Sequence, residues 1–316
     1  VVGFLGFAWV INSQAALSMI STNLFDTFSS QSLTVIPLFI FMGQIAFHSG
    51  ISKNLFRTAY AWLGSLPGGL AMATVGACTG FGAICGSGPA TAATMSAIAL
   101  PEMKKYNYDM ELGAGAVASG GSLGMLIPPS VVFIVYAIMT EQSVGKLFIA
   151  GVVPGLMIAT LFCLTIYINC KRRPHLGPAC PNPGWPERFR SLIGVSETLI
   201  LFLTVIGGLF AGFFTPTEAA SIGAAGSLVI AAFKRTLSFK MLYRSLLETI
   251  RTSCMVMIIV TGAVIFGKFL AITRIPTELA SWLSVLPLPD WTIILLIIVF
   301  YLVAGCFVDA LALVLL

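Results

Sequence analysis

Seven stretches of this chain contain no Asp, Glu, Lys or Arg and have roughly the length needed to cross a lipid bilayer. They cover residues 27–52, 58–101, 112–140, 147–170, 198–217, 252–267 and 291–308. A spanning helix needs about 20 apolar residues. Charged residues make up only 9% of the chain, which is too few to cover the water-facing surface of a soluble domain. We therefore predict an all-α polytopic membrane protein.

The basic residues between these stretches predict how the helices are oriented. They concentrate in two groups, at 171–190 and at 234–251. Both groups are expected on the cytoplasmic side, because basic residues in the loops orient membrane helices in this way. The net charge of +5 therefore reflects these loops and does not indicate nucleic-acid binding. Two crossings are expected between the groups, joined by an outer turn in which Thr215 and Glu218 form a capping box. The seven cysteines show no metal-ligand spacing, which is typical of packing residues.

The uncharged segment 68–101 is long for one crossing and short for two. It is interrupted at residues 86–89 by the sequence Gly-Ser-Gly-Pro. We predict a re-entrant hairpin that turns near the midplane, preceded by an interfacial amphipathic helix over 54–66. At such a break the first half-helix presents free carbonyl groups that suit Na⁺, and the second presents N–H groups that suit a carboxylate. Thr91 and Thr94 add hydroxyl groups. Close helix packing through small residues is the alternative interpretation.

A second break is predicted within segment 112–140, where residues 119–130 read "SGGSLGMLIPPS". Pro128 and Pro129 each remove a helical hydrogen bond, which frees carbonyl groups over about residues 124–127. A simple proline kink is the alternative, but two adjacent prolines beside several glycines exceed what a kink requires.

An internal repeat relates the first part of the chain to its end. The pattern Trp-Leu-x-x-Leu-Pro occurs at 62–67 and again at 282–287, each time after one apolar helix and before a second apolar run. The loop charges give the two copies opposite orientations, and inverted repeats with broken helices are typical of secondary transporters. The repeat predicts a second hairpin tip near Gly305, followed by Asp309. An ionisable residue in an apolar run indicates function; an interfacial position for Asp309 is the alternative.

These motifs together carry a resemblance to a known family. The stretches that match it are "IPLFIFMGQIAFHSGI" (36–51), "LPGGLAMATVGACTGFGAICGSGPATAATMSAIALPEMKKYNYD" (66–109), "GGSLGMLIPPSVVFIVYAIMTEQSVGKLFIAGVVPG" (120–155), "GLFAGFFTPTEAASIGA" (208–224) and "GCFVDALALVLL" (305–316). The chain resembles the large membrane subunit, the dicarboxylate-type large permease, of tripartite ATP-independent periplasmic (TRAP) transporters. The resemblance implies a Na⁺-coupled importer of carboxylate-bearing solutes in the bacterial or archaeal inner membrane. It implies no enzymatic activity and no organic cofactor. The implied partners are a periplasmic substrate-binding protein and a small four-helix membrane subunit.

The resemblance also implies an elevator-type fold, like that of the ion transporter superfamily, in which a transport domain slides against a scaffold. Residues 1–66 are expected to form N-terminal scaffold helices and an interfacial arm helix, and residues 67–145 the first half of the transport domain, with a hairpin at 68–103 and a broken helix at 110–140. Residues 146–288 are expected to form further scaffold helices, a cytoplasmic loop at 171–192 and a second arm helix. Residues 289–316 are expected to start the second hairpin.

The family's functional residues can be carried over onto matching positions of this sequence. The implied Na⁺ ligands are Gly86, Ser87, Thr91, Gly124, Pro128 and Asp309. The implied substrate-binding residues are Ser87, Gly88, Pro89, Thr91, Thr94, Ser130 and Asp309. Because the chain stops before the family's second Pro-Pro break, we expect it to be part of a longer protein.

Three other functions compete with this interpretation. A sodium–dicarboxylate symporter or exchanger of the same superfamily would work without a binding protein, but the Thr-Pro-Thr-Glu-Ala-Ala and Leu-Ile-Pro-Pro-Ser motifs argue against it. An intramembrane enzyme would need buried catalytic groups, which one Asp and two peripheral His do not supply. A channel would need pore-lining helices from several subunits, whereas an inverted repeat indicates a single carrier.

Overall fold

The computed structural model describes residues 1–181, 184–285 and 289–315, and within these ranges all regular secondary structure is helical. In chain order the helices are α1 (Val2–Val10), α2 (Ser13–Ser29), α3 (Val35–His48), α4 (Ile51–Leu63), α5 (Gly69–Cys85), α6 (Gly88–Lys105), α7 (Met110–Leu126), α8 (Val131–Met139), α9 (Val144–Arg172), α10 (Trp185–Ile193), α11 (Ser196–Phe202), α12 (Gly208–Phe210), α13 (Pro216–Phe233), α14 (Phe239–Thr273), α15 (Ile275–Val285), α16 (Asp290–Ala304) and α17 (Ala310–Leu315).

Several of these helices have the length and hydropathy of membrane spans. In the described part of the chain four candidates qualify: Met110–Met139, Val144–Arg172, Pro216–Phe233 and Phe239–Thr273. The number rises to six if each of two bent helix pairs is counted as one span. The all-helical architecture and these spans confirm the expected polytopic membrane protein. By contrast, α5 has 17 residues and is about 25 Å long, which is shorter than the roughly 30 Å hydrocarbon core.

The chain forms two compact units, one of residues 34–252 and one of residues 1–33 with 253–316. In the 34–252 unit, α5 lies at the centre and packs against α4, α6, α7 and α9. Phe39, Phe81 and Phe148 are among its largest fully buried side chains, and the rings of Phe39 and Phe148 meet edge to face with centroids 6.3 Å apart. Gly43 contacts the end of α5, because a Cβ there would lie 2.8 Å from Cys85 Cα.

The segment after α9 covers the base of this helix cluster. The Gly68 N–H donates to the Gly177 carbonyl over 2.9 Å, and the Cys180 N–H donates to the Gly64 carbonyl over 3.0 Å. The Tyr108 hydroxyl accepts a 3.1 Å hydrogen bond from a backbone N–H of α5. Burial raises the pKa of the Cys180 thiol and of the Tyr108 phenol, so both groups stay protonated at neutral pH.

Two elements differ from the sequence expectation. The region predicted as a cytoplasmic loop, 171–192, contains the end of α9 and most of α10, which starts with Pro186 in its first turn; residues 182 and 183 lie outside the described residues. Helix α14 begins at Phe239, well before the apolar run at 252 that predicted it. The outer turn is as expected, since Thr215 caps α13 and forms a reciprocal capping box with Glu218.

The other unit is built on a close contact between two helices. A Cβ at Gly3 would lie 2.7 Å from Phe266 Cα, so α1 touches the backbone of α14 there. Lys268 Nζ donates to Asn23 Oδ1 over 2.7 Å, so the lysine has a polar partner in an otherwise apolar region. The second copy of the Trp-Leu repeat begins in α15, but its last residues, 286 and 287, lie outside the described residues.

Candidate functional site

The first break lies where the Gly-Ser-Gly-Pro sequence predicts it. Helix α5 ends at Cys85, and Gly86 adopts a left-handed conformation with φ of +63°, which a residue without Cβ tolerates best. Ser87 is extended and caps α6, its hydroxyl accepting a 3.5 Å hydrogen bond from the Ala90 N–H. Helix α6 starts at Gly88. The interruption is therefore confined to two residues between oppositely facing helix ends.

Two buried hydroxyl groups follow in the first turns of α6. Thr91 is fully buried, and its Oγ1 donates to the Ser87 carbonyl over 2.8 Å. Thr94 is also buried and donates to the Ala90 carbonyl over 2.7 Å. Each hydroxyl uses its proton within the helix, which leaves the oxygen lone pairs free to accept or to ligate. Pro89 is exposed, so it contributes backbone shape rather than a buried contact.

The second break separates α7 from α8 over residues 127–130. Pro128 and Pro129 are both buried and are joined by a cis peptide bond. Because neither proline has an N–H, the carbonyl groups four residues earlier, at Gly124 and Met125, lose their helical donors. Ser130 repairs one of these losses: its buried hydroxyl donates to the Met125 carbonyl and accepts a 3.4 Å bond from the N–H of Phe133.

The structure brings the two breaks into direct contact. The Val131 N–H at the start of α8 donates to the Gly86 carbonyl over 3.4 Å. A Cβ at Gly124 would lie 2.7 Å from Thr91 Oγ1 and 2.9 Å from the Ser87 carbonyl oxygen. The tip of the hairpin therefore rests on the last turn of α7, and five of the six predicted Na⁺-ligand positions lie in this one region.

The sixth, Asp309, lies in the other unit. It occupies the non-helical segment between α16 and α17, which begins at Gly305, near the predicted hairpin tip. Its carboxylate accepts a 3.1 Å hydrogen bond from the Leu311 N–H, and its side chain is exposed. Asp309 thus caps the short helix α17 in this chain.

The oxygen atoms at the paired breaks are carbonyls and hydroxyls. Hard, uncharged oxygens of this kind suit Na⁺, whereas Ca²⁺ and Mg²⁺ sites draw on carboxylates. No cluster of three His, Cys, Asp or Glu side chains occurs among the described residues. Ser87, Thr91 and the carbonyl of Gly124, which has no helical donor, are the groups best placed to hold a cation.

Sequence reasoning did not identify two glycines that make this contact possible. A Cβ at Gly82 would lie 2.7 Å from Gly124 Cα, and one at Gly121 would lie 2.6 Å from the Cβ of Ala92. Gly82 precedes Gly86 by four residues. Small residues at this spacing form close helix contacts in membranes, so the signal for Gly82 was present in the sequence, whereas Gly121 has no small residue at this spacing.

Comparison with known proteins identifies the family of this chain. The family model described as the tripartite ATP-independent periplasmic transporter, DctM component, matches residues 1–316. The C4-dicarboxylate TRAP transporter large permease of Pseudomonas aeruginosa is 38% identical over 304 residues, covering 96% of this chain and 71% of the relative. The corresponding protein of Rhodobacter capsulatus is 33% identical, covering 94% of this chain and 70% of the relative. The isethionate TRAP transporter permease DctMQ of Oleidesulfovibrio alaskensis is 36% identical, covering 91% of this chain and 45% of the relative.

All three relatives are named as transporter permeases, which confirms the expectation that the chain is not an enzyme. The chain belongs to the DctM component, or large permease, family of tripartite ATP-independent periplasmic transporters.

Proposed function

We propose that this chain forms part of a Na⁺-coupled importer of a small organic carboxylate in the bacterial inner membrane. A periplasmic binding protein delivers the substrate, and a small membrane subunit accompanies the large one. Support comes from the family, whose name describes a tripartite periplasmic transporter. Two of the three relatives are named for C4-dicarboxylates, which is the substrate class we favour.

The observation that carries the proposal is the contact between two broken helices. Carbonyl ends of α5 and α7 meet N–H ends of α6 and α8, where Ser87 and Ser130 are the caps. Helix C-termini favour cations and N-termini favour anions. One small region thus offers complementary sites for a Na⁺ ion and for a substrate carboxylate, which is the arrangement a symporter needs.

In the proposed mechanism, Na⁺ binds to the hydroxyl and carbonyl oxygens of Ser87, to Thr91 and to Gly124, and it fixes the tip of the hairpin. The ordered tip then completes the carboxylate site, to which Gly88, Pro89, Thr94 and Ser130 contribute backbone or hydroxyl groups. Asp309 acts in the corresponding place of the second repeat. The hairpin and broken helix, residues 67–145, move as part of a transport domain against scaffold helices in an elevator cycle.

The test is Na⁺-dependent uptake by the complete transporter reconstituted with its partners in proteoliposomes. Ser87→Ala and Asp309→Asn should each reduce uptake at least tenfold while the protein still inserts and folds. Ser96→Ala is the matched control, because Ser96 lies on the same helix and bonds only within it, to the Ala93 carbonyl. Normal uptake by both variants contradicts the proposal. Full uptake without the binding protein favours a symporter that works alone.

A further inference from the structure

Helix α10 lies between the membrane span α9 and the apolar helices α11 and α12. Twelve residues separate it from the end of α9 at Arg172, and two residues separate it from the start of α11. Its axis makes an angle of 47° with that of the following helix, Ser196–Phe210. Its nine residues give a length of about 14 Å, which is too short for α10 to cross the roughly 30 Å hydrocarbon core by itself.

One face of α10 is held by the arm helix α4. Thr58 Oγ1 donates to the Ser191 carbonyl over 2.8 Å. Arg188 donates from Nε to the Ala61 carbonyl and from Nη2 to Ser65 Oγ, each over 3.2 Å. These bonds fix the rotation of α10 about its own axis, so the direction of its opposite face is determined.

A second face of α10 is apolar and, in the described part of the chain, is contacted at its edge by Trp62 of α4 but otherwise left exposed. Its side chains follow helical spacing and are all exposed: Trp185, Phe189, Leu192 and Ile193. Trp185 stacks on Phe189 with ring centroids 6.2 Å apart, and Trp62 of α4 meets Phe189 edge to face at the same distance. In water such a face would be unfavourable, whereas aromatic and aliphatic side chains on an amphipathic helix are suited to the interface of a bilayer.

Basic residues border this apolar face on both sides. Successive residues of a helix are rotated by 100° about its axis. On this basis Arg188 lies at the edge of the apolar face next to Leu192, and Arg190 lies at the other edge, beyond Ile193. Glu187 lies on the side of the helix that faces away from the apolar face. Together α4 and α10 carry four basic residues, including Lys53 and Arg57, and one acidic residue. Arg57 and Glu187 are 3.7 Å apart, but both side chains are more than half exposed, so the pair neutralises the local charge only weakly.

We propose that α10 is an interfacial helix that binds the anionic surface of the membrane and thereby positions the arm helix α4. The apolar face enters the headgroup region, and Arg188 and Arg190 attract anionic phospholipids at its edges. The lipid surface is the expected partner because the exposed apolar face immediately precedes the apolar helix α11 and has basic residues at its edges. It extends beyond transport, since it makes the lipid composition a determinant of how the arm helix is held.

The experiment uses the complete transporter in vesicles that contain either brominated phosphatidylglycerol or brominated phosphatidylcholine at the same mole fraction. Bromine quenches tryptophan fluorescence on contact, and the contribution of Trp185 is obtained by difference from Trp185→Phe. We expect both lipids to quench Trp185, with phosphatidylglycerol several times more effective. One basic residue near an anionic surface changes local lipid occupancy about fivefold, so Arg190→Gln should bring the two lipids close to equal.

Arg244→Gln is the control of equal charge change, because Arg244 is an exposed residue of the other basic group. It should leave the preference for phosphatidylglycerol intact. Absence of Trp185 quenching by either lipid would show that the apolar face does not meet the bilayer. Equal quenching by both lipids in the unmodified protein would show that anionic headgroups are not recognised. Either result overturns the proposal, and neither depends on uptake, so the proposed transport function is tested separately.

Discussion

The contact between the two broken helices leads to a quantitative prediction for Gly124→Ala. The new Cβ would lie 2.7 Å from Thr91 Oγ1 and 2.9 Å from the Ser87 carbonyl oxygen, whereas ordinary contacts begin at 3.4 Å. The hairpin tip must therefore retreat by about 0.7 Å from α7. Neither atom can yield alone, because one is backbone and the other is a buried hydroxyl bonded to it.

The expected free-energy change combines two opposing effects. Overpacking a close contact costs about 1–3 kcal/mol. Alanine in place of glycine inside a helix stabilises by about 1 kcal/mol. Gly115→Ala isolates the second effect, because Gly115 lies on the same helix and has nothing within 4 Å of its Cβ position. We therefore expect Gly124→Ala to be less stable than Gly115→Ala by about 1–3 kcal/mol.

The assay is thermal unfolding of the purified transporter, measured with and without Na⁺. Gly115→Ala should unfold at or above the temperature of the unmodified protein and keep its response to Na⁺. Gly124→Ala should unfold at a lower temperature than Gly115→Ala, and its stabilisation by Na⁺ should shrink, because the displaced tip alters the proposed ligand geometry. Equal unfolding temperatures for the two variants would refute the argument that the tip rests tightly on α7.

Three further changes test separate local features. Gly86→Ala should destabilise by at least about 2 kcal/mol, because it adds a clash to a left-handed conformation, whereas Gly50→Ala, also left-handed but in open space, should cost about 1 kcal/mol in the same thermal assay. Ser130→Ala should cost about 1–3 kcal/mol in thermal unfolding, since it leaves a buried carbonyl and a helix N–H without their partner; a loss below about 0.5 kcal/mol would contradict this. Thr215→Val should cost about 1 kcal/mol and speed amide exchange in the first turn of α13, because the Glu218 N–H loses its acceptor; unchanged exchange rates would exclude a role for the cap.

The two breaks and the outer cap could be predicted because their causes are local. A left-handed residue needs glycine, a missing N–H follows from proline, and Thr215 with Glu218 three residues later forms a capping box in most contexts. Each feature depends on a few adjacent residues. Neighbouring helices therefore do not change the outcome.

Helix boundaries were less predictable because charge marks the edge of the membrane and not the end of a helix. Helix α14 starts at Phe239 and includes Lys240, Arg244 and Arg251, all good helix formers, although these residues lie before the uncharged run that starts at residue 252. Helix α10 was missed for a different reason. It is short, and what fixes it is a set of bonds to Thr58, Ala61 and Ser65, more than a hundred residues earlier in the chain.

The hydrogen bond between Thr91 and the Ser87 carbonyl has a consequence for how quickly an ion could exchange. A cation that uses this carbonyl must share it with the threonine proton or displace that proton. Losing one hydrogen bond costs about 1 kcal/mol, which weakens binding roughly fivefold. A carrier must release its ion on every cycle. The Thr91 hydroxyl stabilises the tip when no ion is bound, and its competition for the carbonyl shortens the time for which an ion stays bound.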